Sequence, residues 1–348
     1  MDLHEIIAWS VFSAVVIILL ALDLGVFHKR AHEIKTKEAI LWSIFWTVLA
    51  FIFNIGVYLY YDEKSALQFF TCYITERSLS FDNIFVFIII FQYFAVDPRY
   101  QHRVLFWGIL GALVLRGVFI FAGVALVNAF HPIMYVFGAF LVITAIRMLF
   151  DSGEKEMDVK NNRTVKIFKK FMGTTDCYDG QKFFVKQDAR WLATPLFVVL
   201  IVIDVADVIF AVDSVPAVLG ISQDLFIVFT SNVFSILGLR ALYFAFAAIT
   251  RIFYYLKYGL VLILLFIGVK MLVADLYRVE NLANIPAGTP DWKIWLTRND
   301  DYLSLGVITL LLTLAFLASI FFAPKKQEPP RPPEVGPREC GTGPPPAA

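Results

Sequence analysis

Apolar residues in this chain come in long unbroken runs, without the alternation of strands or the single stripe of a water-facing helix. Runs of about 20 such residues are long enough to span a bilayer as helices. They fall at Trp9–Val26, Ala39–Tyr60, Leu67–Phe94, Arg103–Val127, Pro132–Phe150, Ala193–Leu219, Leu225–Ile249, Lys257–Leu276 and Tyr302–Phe322. The pattern predicts an all-α, polytopic transmembrane helix bundle of about nine helices. The third and sixth runs are long enough to tilt or break, and Pro216 in the sixth removes a backbone donor and frees a carbonyl near Val212.

Six regions follow from these runs. Helices 1 and 2 occupy 1–66 and a first three-helix unit occupies 67–150. A polar cytoplasmic loop covers 151–192 and a second three-helix unit covers 193–276. An extracytoplasmic loop and the last helix fill 277–323, and a disordered Pro-rich cytoplasmic tail fills 324–348.

Composition agrees with the pattern. The chain has 348 residues, 59% of them hydrophobic, and mean hydropathy is +0.71. A net charge of +1 gives no case for nucleic-acid binding. Cys72, Cys177 and Cys340 form no CxxC pair, which argues against a disulfide framework or zinc site. The start Met1-Asp-Leu-His-Glu5 lacks a basic segment, so no cleaved signal peptide is expected.

Basic residues favour alternate connections. They follow helix 1 (His28-Lys29-Arg30, Lys35, Lys37), helix 3 (Arg99, Arg103), helix 5 (the lysine-rich Asp151–Arg190 loop), helix 7 (Arg251, Lys257) and helix 9 (Lys325, Lys326). The positive-inside rule puts this set in the cytoplasm, the N-terminus outside and the C-terminus inside.

Three polar motifs recur in order in the two halves. Glu76-Arg-Ser-Leu-Ser-Phe-Asp82-Asn83 parallels Asp207-Val-Ile-Phe-Ala-Val-Asp213-Ser214, an offset of 131 residues. Gly111-Ala-Leu-Val-Leu-Arg116 parallels Ser235-Ile-Leu-Gly-Leu-Arg240 at 124, and Arg147 parallels Lys270 at 123. Helices 3-4-5 therefore correspond to 6-7-8. Three spans make an odd unit, so the second copy enters from the opposite face. Such inverted repeats are a common plan of secondary transporters, with the site at the repeat interface.

The acids carry the candidate chemistry. Glu76 and Asn83 share a face of helix 3, and Asp82 is rotated from Glu76 by about a third of a turn. Asp204, Asp207, Ala211 and Ser214 form a stripe on helix 6, flanked by Asp213. If the motifs cross at mid-membrane, four or five carboxylates converge with the oxygens of Asn83 and Ser214. An all-oxygen set suits hard divalent cations such as Mg²⁺, Ca²⁺ or Mn²⁺. Intramembrane acids cost about 2.5–3.5 kcal/mol each on insertion scales, so an excess of them points to an ion pathway. Asp23, at the end of the first run, is a cytoplasmic access ligand or an interfacial ion pair. Arg116 and Arg240 are expected as structural counter-ions, one for each acidic motif. The plainer alternative makes all these groups, with Arg77, interhelical glue. Arg147 and Lys270 are expected to snorkel, and Asn232 to form an interhelical bond. No Walker A, HExxH or GxSxG motif occurs, so an enzyme is not expected.

Taken together, Glu76-x-x-Leu-Ser-x-Asp82-Asn83, Gly111-Ala-x-Val-Leu-Arg116, Asp207-Val-Ile-Phe-Ala-Val-Asp213-Ser214-Val-Pro216-Ala and Thr230-Ser-Asn232 with Gly238-Leu-Arg240 resemble the TerC family, most closely its Alx branch. The resemblance covers roughly Trp9 to Ala323. It implies a bacterial inner-membrane protein associated with Mn²⁺ export and, by name, tellurite resistance, with the family's acidic positions falling on Glu76, Asp82, Asp207 and Asp213. Mn²⁺ would be transported substrate, with no organic cofactor. The expected partners are the divalent ion and the lipid bilayer, with a homo-oligomer or other membrane proteins left open. The rival reading is a non-transporting membrane scaffold or stress-response protein. The Tyr277–Asp301 loop and the Pro-rich tail depart from the Alx pattern.

Overall fold

The computed structural model describes residues 3–27, 36–150, 175, 177–187, 190–247, 255–277, 289–322 and 338–339. Helix α1 spans Leu3–Phe27, α2 Thr36–Tyr60, α3 Glu63–Tyr93, α4 Pro98–Ala129 and α5 Ile133–Phe150. Strand β1 covers Cys177–Tyr178, and β2 (Phe184–Gln187) and β3 (Arg190–Ala193) form an antiparallel hairpin. Helix α6 covers Pro195–Leu219, α7 Leu225–Leu237, α8 Leu239–Ala247, α9 Leu256–Tyr277 and α10 Asp291–Phe322. Strand β4, Arg338–Glu339, pairs in parallel with β1.

Seven helical stretches among the described residues are long and apolar enough to cross a membrane. They include α7 and α8 taken together. Helices also form over the first and third apolar runs, as α1 and α3, but neither is among these seven, and α7 and α8 share the seventh run.

Helix starts follow from local chemistry. Ser65 N–H donates to Asp62 Oδ1 at 2.6 Å and caps α3. Arg99 N–H donates to Asp97 at 2.9 Å and Pro98 stands in the first turn of α4. The Ser65 N–H bond holds the Asp62 carboxyl below the ordinary carboxylate range, and the Arg99 side chain, with its backbone N–H second, does the same for Asp97. Asp224 caps α7 by accepting from Ile227 N–H at 3.1 Å.

Three features differ from the sequence pattern. Helix α6 runs on through Pro216, which stands in its last turn, and ends three residues later at Leu219. The break comes instead in the seventh span, at Gly238. The last helix starts at Asp291, eleven residues before the apolar run, because charged residues after Pro290 form a good helical turn that hydropathy does not register. The 324–337 and 340–348 parts of the tail, the 151–174 part of the loop and residues 278–288 lie outside the described residues.

Packing places α3 and α6 at the centre. Cys72 lies near Val218 O and Asn83 near Asp207, so the two helices run antiparallel. Helix α4 packs on α6, α7 packs on α3 and α4, and α5 lies along α9. Gly138 and Gly268 permit that last approach: a Cβ on Gly138 would stand 2.9 Å from Gly268 O, and one on Gly268 2.8 Å from Gly138 O. Helices α1 and α2 cover α3 and α7 on one side, with exposed residues such as Leu41 and Leu59 facing outward. Helix α10 is tied in by polar bonds. Gln68 donates to Asp301 at 3.1 Å, Tyr302 donates to Glu63, and Lys270 reaches Asp300 at 3.1 Å and Ser304 at 2.6 Å. Lys270 is thus buried and paired, where snorkelling was expected, because α10 extends far enough to offer it a carboxylate. Arg147, its counterpart, is exposed.

Candidate intramembrane carboxylate site

The helical period brings Glu76 and Asn83 to one face of α3 and Asp207 and Ser214 to one face of α6. Arg116 enters between them from α4. Its Nη1 donates to Glu76 Oε2 at 2.7 Å. Its Nε and Nη2 fork onto Asp207 Oδ2 and Oδ1 at 3.0 and 2.9 Å. Nη1 also lies 3.5 Å from Ser214 Oγ, and Asn83 Nδ2 donates to Asp207 Oδ1 at 3.3 Å. The group is enclosed: Glu76 is 0% exposed, Asn83 and Ser214 1%, Arg116 and Asp207 2%. A planar guanidinium suits this task, because it serves two carboxylates with fixed donors.

One arginine therefore binds an acid from each motif, rather than one arginine serving each. Arg240 is buried on α8. The formal charge around Arg116 sums to one negative. Both carboxylates cannot be fully matched by one cation, and Glu76 Oε1 is buried without a hydrogen-bond partner.

Asp204 stands one helical turn from Asp207 and within its electrostatic reach. Its carboxylate rests on α4 at Gly111, where a Cβ would stand 2.9 Å from Asp204 Oδ1. That Oδ1 is buried without a hydrogen-bond partner. Gly111 was visible as the start of the arginine motif, but its use as a seat for Asp204 was not.

The remaining acids point elsewhere. Asp213 is half-buried and accepts from Thr144 Oγ1 on α5 at 3.3 Å. Asp82 is half-buried, within electrostatic reach of Asp213 and of Lys257. Among the described residues no three side chains of His, Cys, Asp or Glu converge as a metal-holding group. This corrects the expected convergence of four or five carboxylates. Six residues along a helix rotate the side chain by a third of a turn, so Asp82 and Asp213 leave the faces that carry Glu76 and Asp207. Asn232 is 1% exposed, and its Nδ2 is buried without a hydrogen-bond partner rather than bonded between helices. Asp23 falls near the end of α1, and its side chain lies outside the described residues.

Comparison with known proteins places this geometry in context. The family described as "Integral membrane protein TerC family" matches residues 61–327. An uncharacterized membrane protein of Myxococcus xanthus, STKORF319, is 47% identical over 271 residues, covering 78% of this chain and 85% of its own. One from Rickettsia bellii is 39% identical over 315 residues, 90% of this chain and 97% of its own. A protein of Escherichia coli K12, described as a candidate membrane-bound redox modulator and named Alx, is 43% identical over 280 residues, 78% of this chain and 87% of its own. No solved structure matches the chain significantly.

Proposed function

This chain belongs to the TerC family of integral membrane proteins, in its Alx branch, and from that premise we propose that it exports a divalent metal cation, Mn²⁺ foremost, across a bacterial inner membrane. The observation that carries the reading is the sharing of Arg116 by Glu76 and Asp207. The two acids come from different motifs and meet across α3 and α6. Together with Asp204 they outnumber the guanidinium that joins them. In an apolar bundle such excess is held by protons or by a cation. The donors are oxygens, which suits a hard divalent ion.

In this reading Arg116 stands where the cation's charge would act. An arriving Mn²⁺ competes with it for Glu76 and Asp207, and Asn83 and Ser214 offer further oxygens. Asp82 and Asp213 hold matching positions along the route, and Asp23 serves as a cytoplasmic access ligand. The two halves, α3–α5 and α6–α9, form an inverted repeat that rocks to expose the ion alternately. Packing supports this pairing: α4 on α6 parallels α7 on α3, and α5 meets α9 directly. The N-terminus faces outward and the C-terminus the cytoplasm. The protein works as a transporter, with no catalytic step.

A second reading has a specific observation in its favour. The fork between Arg116 and Asp207 is the tight pair expected of interhelical glue in a membrane scaffold. Flux decides between them. Purified protein in liposomes should carry Mn²⁺ down a gradient, in preference to Mg²⁺ and Ca²⁺, and Asp207→Asn should stop the flux. Folded wild-type protein that moves Mn²⁺ no faster than protein-free liposomes would sink the transport reading and leave the scaffold.

A further inference from the structure

Glu76 Oε1, Asn232 Nδ2 and Ser235 Oγ are buried and have no hydrogen-bond partner among the described residues. Glu76 and Ser235 are 0% exposed and Asn232 is 1% exposed. A buried polar atom left unpaired costs free energy, so these atoms call for an occupant.

Helix α7 turns its two side chains toward Glu76. Ser231 lies within hydrogen-bonding reach of the Cys72 thiol on α3. Phe229 packs on α4 at Gly117, the neighbour of Arg116, where a Cβ would stand 3.2 Å from the Phe229 ring. At about 100° per residue, Asn232 and Ser235 turn into the sector between those two contacts. That sector, between α3 and α4, is where Arg116 reaches Glu76. Height agrees as well. Tyr61, just before α3, meets Phe226 at the start of α7, with ring centroids 5.6 Å apart. Further along, Arg77 Nη1 donates to Ser235 O at 3.2 Å, in room left by Gly238. The two helices therefore run parallel. Glu76 stands one turn beyond Cys72, and Ser235 one turn beyond Ser231, so carboxylate and hydroxyl share a level. Asn83 and Ser214, by contrast, already bond to Asp207 and Arg116.

We propose that Asn232 and Ser235 are ligands of the transported divalent cation, which sits against Glu76 Oε1 on the α7 side of the Arg116 network. This rests on the transport reading and adds to it two ligands and the face that the ion occupies. Arg116 permits the arrangement. It holds Asp207 through two nitrogens and Glu76 through one, so Glu76 is the acid it gives up more readily. Arg116 and Asp207 then remain a neutral pair, and the Glu76 charge is left for the ion. Asn232 loses no bond when its planar amide turns over to present Oδ1. Carboxylate, amide and hydroxyl oxygens form a hard set, completed by water that the ion retains. One acid among neutral oxygens also holds an ion less tightly than several acids do, as release requires.

The experiment measures Mn²⁺ binding to purified full-length protein in detergent, from loss of the free ion's paramagnetic resonance signal, with Cd²⁺ as competitor. The reference is a background lacking Cys72, Cys177 and Cys340, in which each variant is made. Asn232→Ala removes the amide, and Ser235→Cys exchanges a hard oxygen for soft sulfur. Ser231→Ala is the neighbouring control, because that hydroxyl already donates to Val228 O at 3.0 Å. Elution volume and metal-free melting temperature verify folding. Asn232→Ala should weaken Mn²⁺ binding about tenfold. Ser235→Cys should weaken Mn²⁺ and strengthen Cd²⁺ by about tenfold each, and Ser231→Ala should change neither. If the reference binds Mn²⁺ and both site variants match it for both metals, the two side chains hold an ordered water only. The proposal then falls while the transport reading stands. Equal losses in Asn232→Ala and Ser231→Ala would mark local packing and overturn the proposal too. A reference protein that binds no Mn²⁺ would overturn both.

Discussion

Arg116 donates to Asp207 through two nitrogens, at 3.0 and 2.9 Å, with both side chains 2% exposed. Removing one partner of a buried ion pair leaves a charge without compensation, at about 3–5 kcal/mol. Arg116→Leu should therefore reduce folded protein in the membrane severely. Arg116→Lys should retain part of the fold, because one ammonium cannot reproduce the fork. Combining Arg116→Leu with Glu76→Gln and Asp207→Asn should recover folding without recovering flux. Detergent-solubilised yield and melting temperature report the first effect, and liposome flux the second. Normal yield of Arg116→Leu alone would remove the pairing argument.

Gly111→Ala tests the seat of Asp204. The added Cβ would stand 2.9 Å from Oδ1 and 3.1 Å from Cγ of Asp204. A side-chain carboxylate can swing away, so the fold should survive. The displaced acid should lower Mn²⁺ flux with little change in melting temperature. Equal losses of flux and stability would instead mark Gly111 as a packing residue alone.

Asp82→Asn and Asp213→Asn keep size and an oxygen while removing one charge. Both residues are half-buried. Each variant should reach the membrane at normal level and fail to protect cells against excess Mn²⁺. Elemental analysis of cellular manganese checks this. Wild-type export by both variants would exclude these acids from the ion's route.

Gly138 and Gly268 face each other so closely that any side chain must push backbone. Gly138→Ala or Gly268→Ala should lower stability by about 1–3 kcal/mol, as overpacking does. Gly56, on α2 with nothing within 4 Å of its added Cβ, is the control. There, Ala should be neutral or stabilise by about 0.5–1 kcal/mol. Thermal unfolding in detergent compares the three, and equal shifts would contradict the close approach.

Orientation is testable with two single cysteines in a background lacking Cys72, Cys177 and Cys340. Lys64 begins α3 and Lys186 lies on the hairpin before α6, at opposite ends of the bundle. In intact cells a membrane-impermeant maleimide should label Lys64→Cys and spare Lys186→Cys. The reverse pattern would invert the proposed topology.

The sequence determined the helices by itself. Hydrophobic runs long enough to span a bilayer leave the backbone only one way to satisfy its hydrogen bonds, so α1 to α10 lie close to where those runs fall. It also singled out Glu76, Asp207, Arg116, Asn83 and Ser214, because polar groups stand out in apolar runs. Partnership was decided only by tertiary structure. Spacing within a helix fixes which residues share a face, but not what the next helix presents to it. So Arg116 joined acids from both motifs, Asp213 turned to Thr144, and Lys270 found Asp300 on a helix longer than its apolar run. Gly111, Gly138 and Gly238 acquire their meaning from contacts more than sixty residues away in sequence. Packing in three dimensions creates those contacts, and no local pattern records them.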